Sequence, residues 1–273
     1  MLDRELVYAV KLAREAGSIL LDIYATNFSV EMKGEADPVT EADRRVNSFL
    51  TARLHEAFPS DTIVAEESPE PRDRNKGRCW FVDPLDGTKE FIAKNGEFSV
   101  MIGLVVDGTA QLGVVFQPTT NKLWRGVVGD GAFLEHGDKT WVLRPTDVID
   151  PKQMKLVVSR SHRSASTDAL VQKLGIKDEI ASGSVGLKVG LIAERKADLY
   201  VHLSDRSSAW DACAPDAILR AAGGTFTDLS GRSIDYGLGD TRNHRGILAC
   251  NRKGLENVLP VVSEIAREAG LIE

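Results

Sequence analysis

The sequence has little cysteine, no excess of positive charge and no long apolar run. Its three cysteines are widely spaced with no CxxC pair, so neither a zinc site nor a disulfide framework is indicated, and a reducing cytoplasm is the expected location. The net charge of −6 and pI of about 5.5 argue against a nucleic-acid partner. No segment approaches the roughly 18 apolar residues of a membrane span, and residues 1–20 lack the apolar core of a signal peptide, so no membrane partner is expected.

The order of predicted elements indicates two halves of different architecture. With 273 residues, 42% hydrophobic and 27% charged, the chain has an ordinary globular composition, without an internal repeat. Residues 3–24 have helical apolar periodicity, and Thr40–Asp43 resembles a capping box that opens a second helix. Short strands are predicted at Thr62–Glu66 and Cys79–Val82, followed by antiparallel hairpins from Phe98 to Glu135.

After the polar stretch Arg144–Lys152, strands and helices alternate. The predicted strands are Leu156–Ser159, Asp198–His202, Gly224–Asp228 and Gly246–Ala249, and the predicted helices are Ser166–Leu174, Leu187–Glu194, Asp211–Ala222 and Leu255–Glu268. The prediction is therefore an α+β half, residues 1–145, with an antiparallel sheet, followed by an α/β half, residues 146–273, with helices and sheets stacked in layers.

The segment Trp80–Phe91, WFVDPLDGTKEF, is the most informative part of the chain. An apolar run delivers Asp83 and Asp86 to a turn that Pro84 and Gly87 impose on the backbone. Two carboxylates beside free backbone N–H groups suit a divalent cation bridged to a phosphate. The simpler alternatives are a helix cap at Asp86 and a plain helix-start hydroxyl at Thr88.

Other acids stand where chemistry or simple structure could explain them. Glu66 and Glu67 end an apolar strand, Asp43 is the acid of the capping box, and Asp211 follows Trp210 at a helix start. Lone acids at such places are more often surface groups or caps than ligands. The residues themselves leave both interpretations open.

Four segments in order, ADPVTEADRRVN, AEES, WFVDPLDGTKEFI and WDACAPDAILRAAGG, resemble the metal-dependent, lithium-sensitive phosphatases of the inositol monophosphatase superfamily. The resemblance covers nearly the whole chain, and the DPLDGT and WD pair is highly specific. It implies an αβαβα layered sandwich. The superfamily is frequently dimeric, so a homodimer is an expectation.

Carried over residue by residue, the resemblance implies two to three Mg²⁺ ions. Glu66, Asp83 and the Leu85 carbonyl would hold one ion, and Asp83, Asp86 and Asp211 a second, with a third near Glu66. Thr88 and Asp43 would orient and deprotonate the attacking water, with Glu67 as a helper. The backbone N–H groups of Gly87 and Thr88 would receive phosphate oxygens.

The resemblance also implies a small phosphorylated substrate, and details of the sequence favour the 3′(2′),5′-bisphosphate nucleotidase branch. DGTKEFI resembles that branch more than the inositol enzymes, and Ser159–His162 matches its SRSH element. Its substrate-binding residues would be Ser159, Arg160, His162, Ser184, Lys188 and Asp211. The sequence departs from this branch at two places. Val185 and Gly186 stand where the branch has two serines, although Ser184 is one residue away. Pro215 stands where the branch usually has glycine, at a position expected in the first turn of the helix.

The predicted function is Mg²⁺-dependent hydrolysis of adenosine 3′,5′-bisphosphate or its sulfated relative. The nearest alternative is a phosphatase for inositol phosphate, histidinol phosphate or fructose 1,6-bisphosphate, and a remote one is a non-catalytic regulator on the same fold. Ordinary surface charge is the simpler explanation of Arg160 and Lys188. The charged, proline-containing segment Pro69–Arg78 predicts a loop beside the metal ligands.

Overall fold

Two long helices form the first layer of the molecule. A computed structural model describes residues 2–34, 37–68, 77–237 and 240–273; most of the predicted loop Pro69–Arg78 lies outside these residues. Helix α1 (Asp3–Tyr24) buries Ala13, Leu20 and Ile23, in agreement with the apolar periodicity. A hairpin of β1 (Val30–Gly34) and β2 (Asp37–Thr40), which the sequence analysis missed, leads into α2 (Glu41–Ala57) through the predicted capping box.

A seven-stranded sheet forms the second layer. Its order is β3-β4-β5-β6-β7-β8-β9, with β3 and β4 parallel and every other neighbouring pair antiparallel. The strands are β3 (Thr62–Ala65), β4 (Arg78–Asp86), β5 (Ser99–Val106), β6 (Thr109–Gln117), β7 (Lys122–Val127), β8 (Gly131–His136) and β9 (Lys139–Val142). The short helix α3 (Thr88–Ile92) follows β4. The hairpins are as predicted, and β9 extends them beyond the predicted end.

The second half of the chain contributes a five-stranded sheet with the order β11-β10-β12-β14-β13. Strands β10, β11 and β12 are mutually parallel where they pair, and β14 pairs antiparallel with both of its neighbours. The elements are β10 (Lys155–Ser159), α4 (Ala165–Leu174), β11 (Asp178–Ser182), α5 (Val185–Ala193), β12 (Leu199–His202), α6 (Ala209–Ala221), β13 (Gly224–Thr227), β14 (Ile247–Asn251) and α7 (Leu255–Glu268). Strand β11 was not predicted.

Three hydrophobic clusters join these elements into an αβαβα sandwich, which confirms the predicted fold. One cluster lies between α1, α2 and the seven-stranded sheet, a second surrounds α5 and α6 between the two sheets, and a third lies between the five-stranded sheet, α4 and α7. No helix of the described residues is long and apolar enough to cross a membrane. The division between residues 145 and 146 stays a prediction.

A row of glycines brings α6 close to the seven-stranded sheet. Gly103 pairs with Gly113, and Gly113 pairs with Gly126, so three neighbouring strands carry glycine at one level. An added Cβ would lie 2.5 Å from the Cys213 sulfur at Gly103 and 2.1 Å from the Ala214 carbonyl oxygen at Gly113. Since no side chain other than hydrogen fits there, the glycines determine how near the second turn of α6 comes to β5 and β6.

The position of Pro215 differs from the prediction. Helix α6 begins at Ala209, two residues before the predicted start, so Pro215 lies in the second turn rather than the first. A proline inside a helix has no N–H for the carbonyl four residues earlier, here that of Asp211. The helix nevertheless continues, because it is packed between the sheets and the residues around Pro215 are buried.

Candidate active site

The parallel pair β3 and β4 places two acids side by side. Ala65 pairs with Val82 in the last register position, so Glu66, directly after β3, lies beside Asp83, the next residue of β4. The Glu66 backbone N–H donates to the Val82 carbonyl at 3.2 Å, which fixes the turn after β3. Burial is the largest cause that raises the pKa of Asp83 and that of Asp43. The Glu66 carboxylate raises the pKa of Asp83 further, and the Glu67 carboxylate does so for Asp43.

The DPLDGT segment makes a compact turn within and after β4. The Asp83 carboxylate accepts the Leu85 N–H at 2.9 Å, and the register with β5 shifts between Asp83 and Asp86. Gly87 then adopts a φ of 98°, and an added Cβ would lie 3.0 Å from the Glu97 carbonyl oxygen. Both observations require glycine at this position, directly before Thr88 begins α3.

The turn and α6 together create a cluster of three carboxylates. Ligand oxygens of Asp83, Asp86 and Asp211 all lie within 4.8 Å of one another. Asp211 is oriented by the start of α6, where its carboxylate accepts the Ser208 N–H at 2.6 Å in a capping box. Asp211 is therefore both the predicted cap acid and a member of the cluster.

Burial raises the pKa values of all three acids, and repulsion within the cluster adds to the shift for Asp83 and Asp211. Burial has the largest effect; it raises the pKa of Asp83 well above its usual value, that of Asp211 to about 7, and that of Asp86 less strongly. Three such carboxylates are costly to ionise together unless a cation neutralises them. Hard oxygen donors at this spacing fit a divalent cation such as Mg²⁺.

Asp86 does not cap its own helix, contrary to the simpler alternative. The residue before α3 is Gly87, which makes no side-chain cap, and Asp86 instead accepts the Gly186 N–H at 3.0 Å and the Ser184 hydroxyl. The Ser184 hydroxyl also lies 2.9 Å from that of Ser99. Asp86 thus connects the DPLDGT turn of the first sheet to the first turn of α5 in the second half.

Thr88 and Asp43 are in direct contact beside the acid cluster. The Thr88 hydroxyl lies 3.1 Å from Asp43 Oδ1 and 3.2 Å from the Leu85 carbonyl oxygen. Asp43 Oδ2 accepts the backbone N–H and the hydroxyl of Thr40, each at 2.7 Å, so Oδ1 is the oxygen turned toward the site. Burial raises the pKa of Asp43. The structure therefore brings together the predicted hydroxyl and carboxylate.

Lys188 is buried, so the explanation of ordinary surface charge is wrong for this residue. Its side chain is 4% exposed, its ammonium donates to the Ser184 carbonyl at 2.9 Å, and it lies over the Tyr200 ring at 5.3 Å. Burial lowers the pKa of Lys188, and Asp86 opposes that shift. Lys188 is thus a buried cation close to the acid cluster.

Arg160 is more exposed and makes a two-bond ion pair with Glu97, at 2.7 and 2.6 Å. Glu97 also accepts the Gly183 N–H at 2.7 Å. His162 lies 2.7 Å from the Lys89 ammonium nitrogen, and the Ser161 hydroxyl donates to the buried Glu90. Side chains from α3 and the segment after it therefore hold the SRSH element against the site.

Several of these supporting residues were not identified from the sequence. Ser99 and Glu97 contact the predicted site residues Ser184 and Arg160, and neither belongs to a recognised motif, while Glu90, within DGTKEFI, accepts the Ser161 hydroxyl. The signal was available in part, since Glu90 and Glu97 follow the DGT turn in a short segment with two acids. Ser159 ends β10 as predicted, next to Ser182 in the parallel ladder.

Comparisons with known proteins agree with this architecture. The sequence matches the inositol monophosphatase family over residues 1–267. It is 36% identical over 230 residues to a 3′(2′),5′-bisphosphate nucleotidase CysQ from Escherichia coli O157:H7, which covers 83% of this chain and 91% of that protein.

Solved structures give the same result. A CysQ from Bacteroides thetaiotaomicron superposes with a TM-score of 0.78 at 31% identity, covering 91% of this chain and 98% of that one. An IMPase from Thermotoga maritima superposes with a TM-score of 0.83 at 26% identity, covering 98% of this chain and 100% of that one. The chain therefore belongs to the inositol monophosphatase family and is a phosphatase.

Proposed function

We propose that the protein is a Mg²⁺-dependent phosphomonoesterase that converts adenosine 3′,5′-bisphosphate, or 3′-phosphoadenylyl sulfate, to the corresponding 5′-nucleotide and phosphate. The observation that carries the proposal is the cluster of Asp83, Asp86 and Asp211 within 4.8 Å, beside the Thr88–Asp43 contact. The choice of a bisphosphate nucleotide is supported by the 36%-identical relative, which is a 3′(2′),5′-bisphosphate nucleotidase. A cytoplasmic location and a homodimer stay predictions.

Two to three Mg²⁺ ions would be held by residues of this site. Asp83, Asp86 and Asp211 would hold one ion, and Asp83, Glu66 and the Leu85 carbonyl a second, with Glu66 near a third. The donors are all oxygen atoms, as Mg²⁺ requires, and the raised pKa values are those expected of acids arranged for a cation. When bound, such ions supply positive charge that stabilises the phosphate oxygens and makes nearby water more acidic.

The protein's own groups would orient the water and take its proton. Thr88 would accept a hydrogen bond from the attacking water while its own hydroxyl donates to Asp43 Oδ1. Because burial raises the pKa of Asp43 and Oδ2 already has two donors, Oδ1 is the atom on which the transferred proton would rest. Glu67 would assist through its negative charge. The N–H groups of Gly87 and Thr88 would hold the phosphate oxygens.

The second phosphate of the substrate would be bound on the α5 side of the site. Lys188 lies there as a buried cation close to Asp86, while Ser184 supports Asp86 directly. Arg160, His162 and Ser159 would contact the second phosphate or the base. Arginine and lysine are the residues suited to such an anion.

One observation favours the alternative of a monophosphate substrate, inositol phosphate or histidinol phosphate. The Arg160 guanidinium already makes two hydrogen bonds to Glu97, so its charge is partly neutralised before substrate arrives. A bisphosphate would have to share or displace that contact.

Phosphate release by Arg160→Ala separates the two candidates, and phosphate release by Asp86→Asn tests the metal site that both require. Asp86→Asn should lose several kcal/mol of transition-state stabilisation on every substrate, because a cation ligand is removed. Arg160→Ala should raise KM for adenosine 3′,5′-bisphosphate and leave KM for inositol 1-phosphate unchanged. Full activity of Asp86→Asn at ordinary Mg²⁺ would overturn the metal assignment, and equal KM effects on both substrates would overturn the bisphosphate pocket.

A further inference from the structure

A cavity of about 650 Å³ lies between the seven-stranded sheet and the C-terminal end of α5. Lys122 pairs with His136 across β7 and β8, and Leu134 pairs with Trp141 across β8 and β9, so these four side chains share the sheet face that forms the floor. Residues 193–196 form the opposite wall. We call this space the interlayer cavity; its volume is in the range of roughly 300–1,000 Å³ typical of small-molecule sites.

The lining of the interlayer cavity is strongly positive in a protein whose net charge is −6. Two lysines, two arginines and His136 line it, and among its lining residues the one carboxylate is that of Glu194. That carboxylate accepts the Trp124 indole N–H at 3.0 Å and pairs with Lys122 at 3.5 Å and with Lys196. One buried carboxylate is thus shared by two ammonium groups and an indole, so it cannot balance the remaining cations. Burial lowers the pKa of Lys122.

The two arginines of the lining add uncompensated charge. The Arg195 guanidinium donates a hydrogen bond to the Pro145 carbonyl oxygen at 3.1 Å. Pro145 directly follows Arg144, so this hydrogen bond brings Arg195 to the segment that carries the other arginine. Within the described part of the chain, neither guanidinium makes an ion pair with a carboxylate. Both guanidinium groups are exposed to solvent, so each is available to bind an anion that enters the interlayer cavity.

Trp141 supplies the other recognition element. Its side chain is 44% exposed at the rim of the interlayer cavity, although it is one of the largest apolar groups of the chain. Leu134 and Leu143, both buried, continue the apolar surface inward. A flat ring can stack on an indole, and a cation beside it can bind an attached anionic group.

We propose that the interlayer cavity binds a small molecule in which an aromatic ring carries a phosphate, sulfonate or carboxylate group. The ring lies against Trp141, and the anionic group is bound by Arg144, Arg195 and Lys196. This site is separate from the acid cluster. The first turn of α5 contacts Asp86, and the last residue of α5 borders the interlayer cavity. Because α5 has nine residues and a helix rises about 1.5 Å per residue, the two ends of α5 lie about 13 Å apart.

Isothermal titration of the purified full chain in EDTA, without Mg²⁺, tests the proposal, because the acid cluster without cations repels anions. The three probes are naphthalene-1-sulfonate, its uncharged analogue naphthalene-1-sulfonamide, and inorganic sulfate. We expect naphthalene-1-sulfonate to bind at least about tenfold more tightly than either of the other two, since only this probe uses both the ring and the charge. Equal affinity for the sulfonate and the sulfonamide, or no binding of the sulfonate, would overturn the proposal.

Three variants locate the bound probe. Arg144→Glu and Trp141→Leu should each weaken naphthalene-1-sulfonate at least about tenfold. Arg252→Glu, which makes the same charge change at an exposed arginine outside the cavity, should leave the affinity unchanged. Melting temperatures and phosphate release measured for each variant show whether it is folded. Equal weakening by Arg144→Glu and Arg252→Glu would mean that the probe responds to net charge alone and would contradict the assigned site.

Discussion

Replacing Asp211 by asparagine is expected to stabilise the protein in the absence of metal ions and to reduce its response to Mg²⁺. Burial and the Asp86 carboxylate raise the pKa of Asp211 from 3.8 to about 7. In the unfolded chain this acid ionises near 3.8, so folded protein holds the proton more tightly. Stability is therefore lost as pH rises from about 4 to about 7, and the loss stays constant at higher pH.

The size of the effect follows from the two pKa values. A difference of about three pKa units, at about 1.36 kcal/mol each, corresponds to at most about 4 kcal/mol at pH 8. Asparagine removes the buried charge and keeps an oxygen atom that can accept a hydrogen bond from the Ser208 N–H. In the wild-type protein the Ser208 nitrogen lies 2.6 Å from Asp211 Oδ2. Asp211→Asn in EDTA should thus gain up to that amount in free energy of unfolding at pH 8, and much less near pH 4.

Denaturant unfolding at several pH values, with EDTA or with Mg²⁺, measures both parts of this prediction. Asp216→Asn is a matched control, since Asp216 lies on the same helix, is buried and also has a pKa raised to about 7, but lies outside the acid cluster. The control should keep the stabilisation by Mg²⁺ that wild-type protein shows, and Asp211→Asn should lose most of it. The reasoning is refuted if Asp211→Asn is no more stable than wild type in EDTA at pH 8 and still gains the same stability from Mg²⁺.

Three further predictions concern single side chains around the site. Thr88→Ala should lower kcat by about 10²–10⁴, because the hydroxyl that contacts Asp43 is lost, whereas Thr88→Ser should keep most activity; equal losses in both would contradict the role of the hydroxyl. Gly87→Ala should destabilise the fold by about 1–3 kcal/mol in denaturant unfolding, since φ is 98° and a Cβ meets a backbone oxygen; an unchanged midpoint would show that the turn adapts. Glu97→Gln should lower KM for adenosine 3′,5′-bisphosphate about threefold to tenfold and leave kcat nearly unchanged, because it removes the negative charge that neutralises Arg160 and competes with the substrate's phosphate; a raised KM would contradict this competition.

Local patterns in the sequence predicted a large part of the fold. The capping box at Thr40–Asp43, the periodicity of α1 and the hairpin turns between β5 and β8 depend on neighbouring residues, and each is present. Strand β11 was not predicted because most of its residues are exposed or half-buried, so its sequence has little apolar periodicity. Its partner β10 supplies the pairing, which is information from distant parts of the chain.

The candidate site was predictable where one motif carried it and not where distant segments meet. Asp83 and Asp86 follow from the turn alone. That Asp86 would accept hydrogen bonds from the first turn of α5, and that Glu97 would neutralise Arg160, depends on packing between the two halves. The close approach of α6, which brings Asp211 to the turn, depends on glycines on three strands whose alignment only the sheet register reveals.

The most direct test of the proposed function is the initial rate of phosphate release by purified protein with Mg²⁺. The substrates to compare are adenosine 3′,5′-bisphosphate, inositol 1-phosphate, histidinol phosphate and fructose 1,6-bisphosphate, each with an EDTA control. The account predicts the highest kcat/KM for adenosine 3′,5′-bisphosphate and no activity in EDTA. A higher kcat/KM for any of the other three would contradict the bisphosphate-nucleotide assignment, and undiminished activity in EDTA would contradict the metal-dependent mechanism.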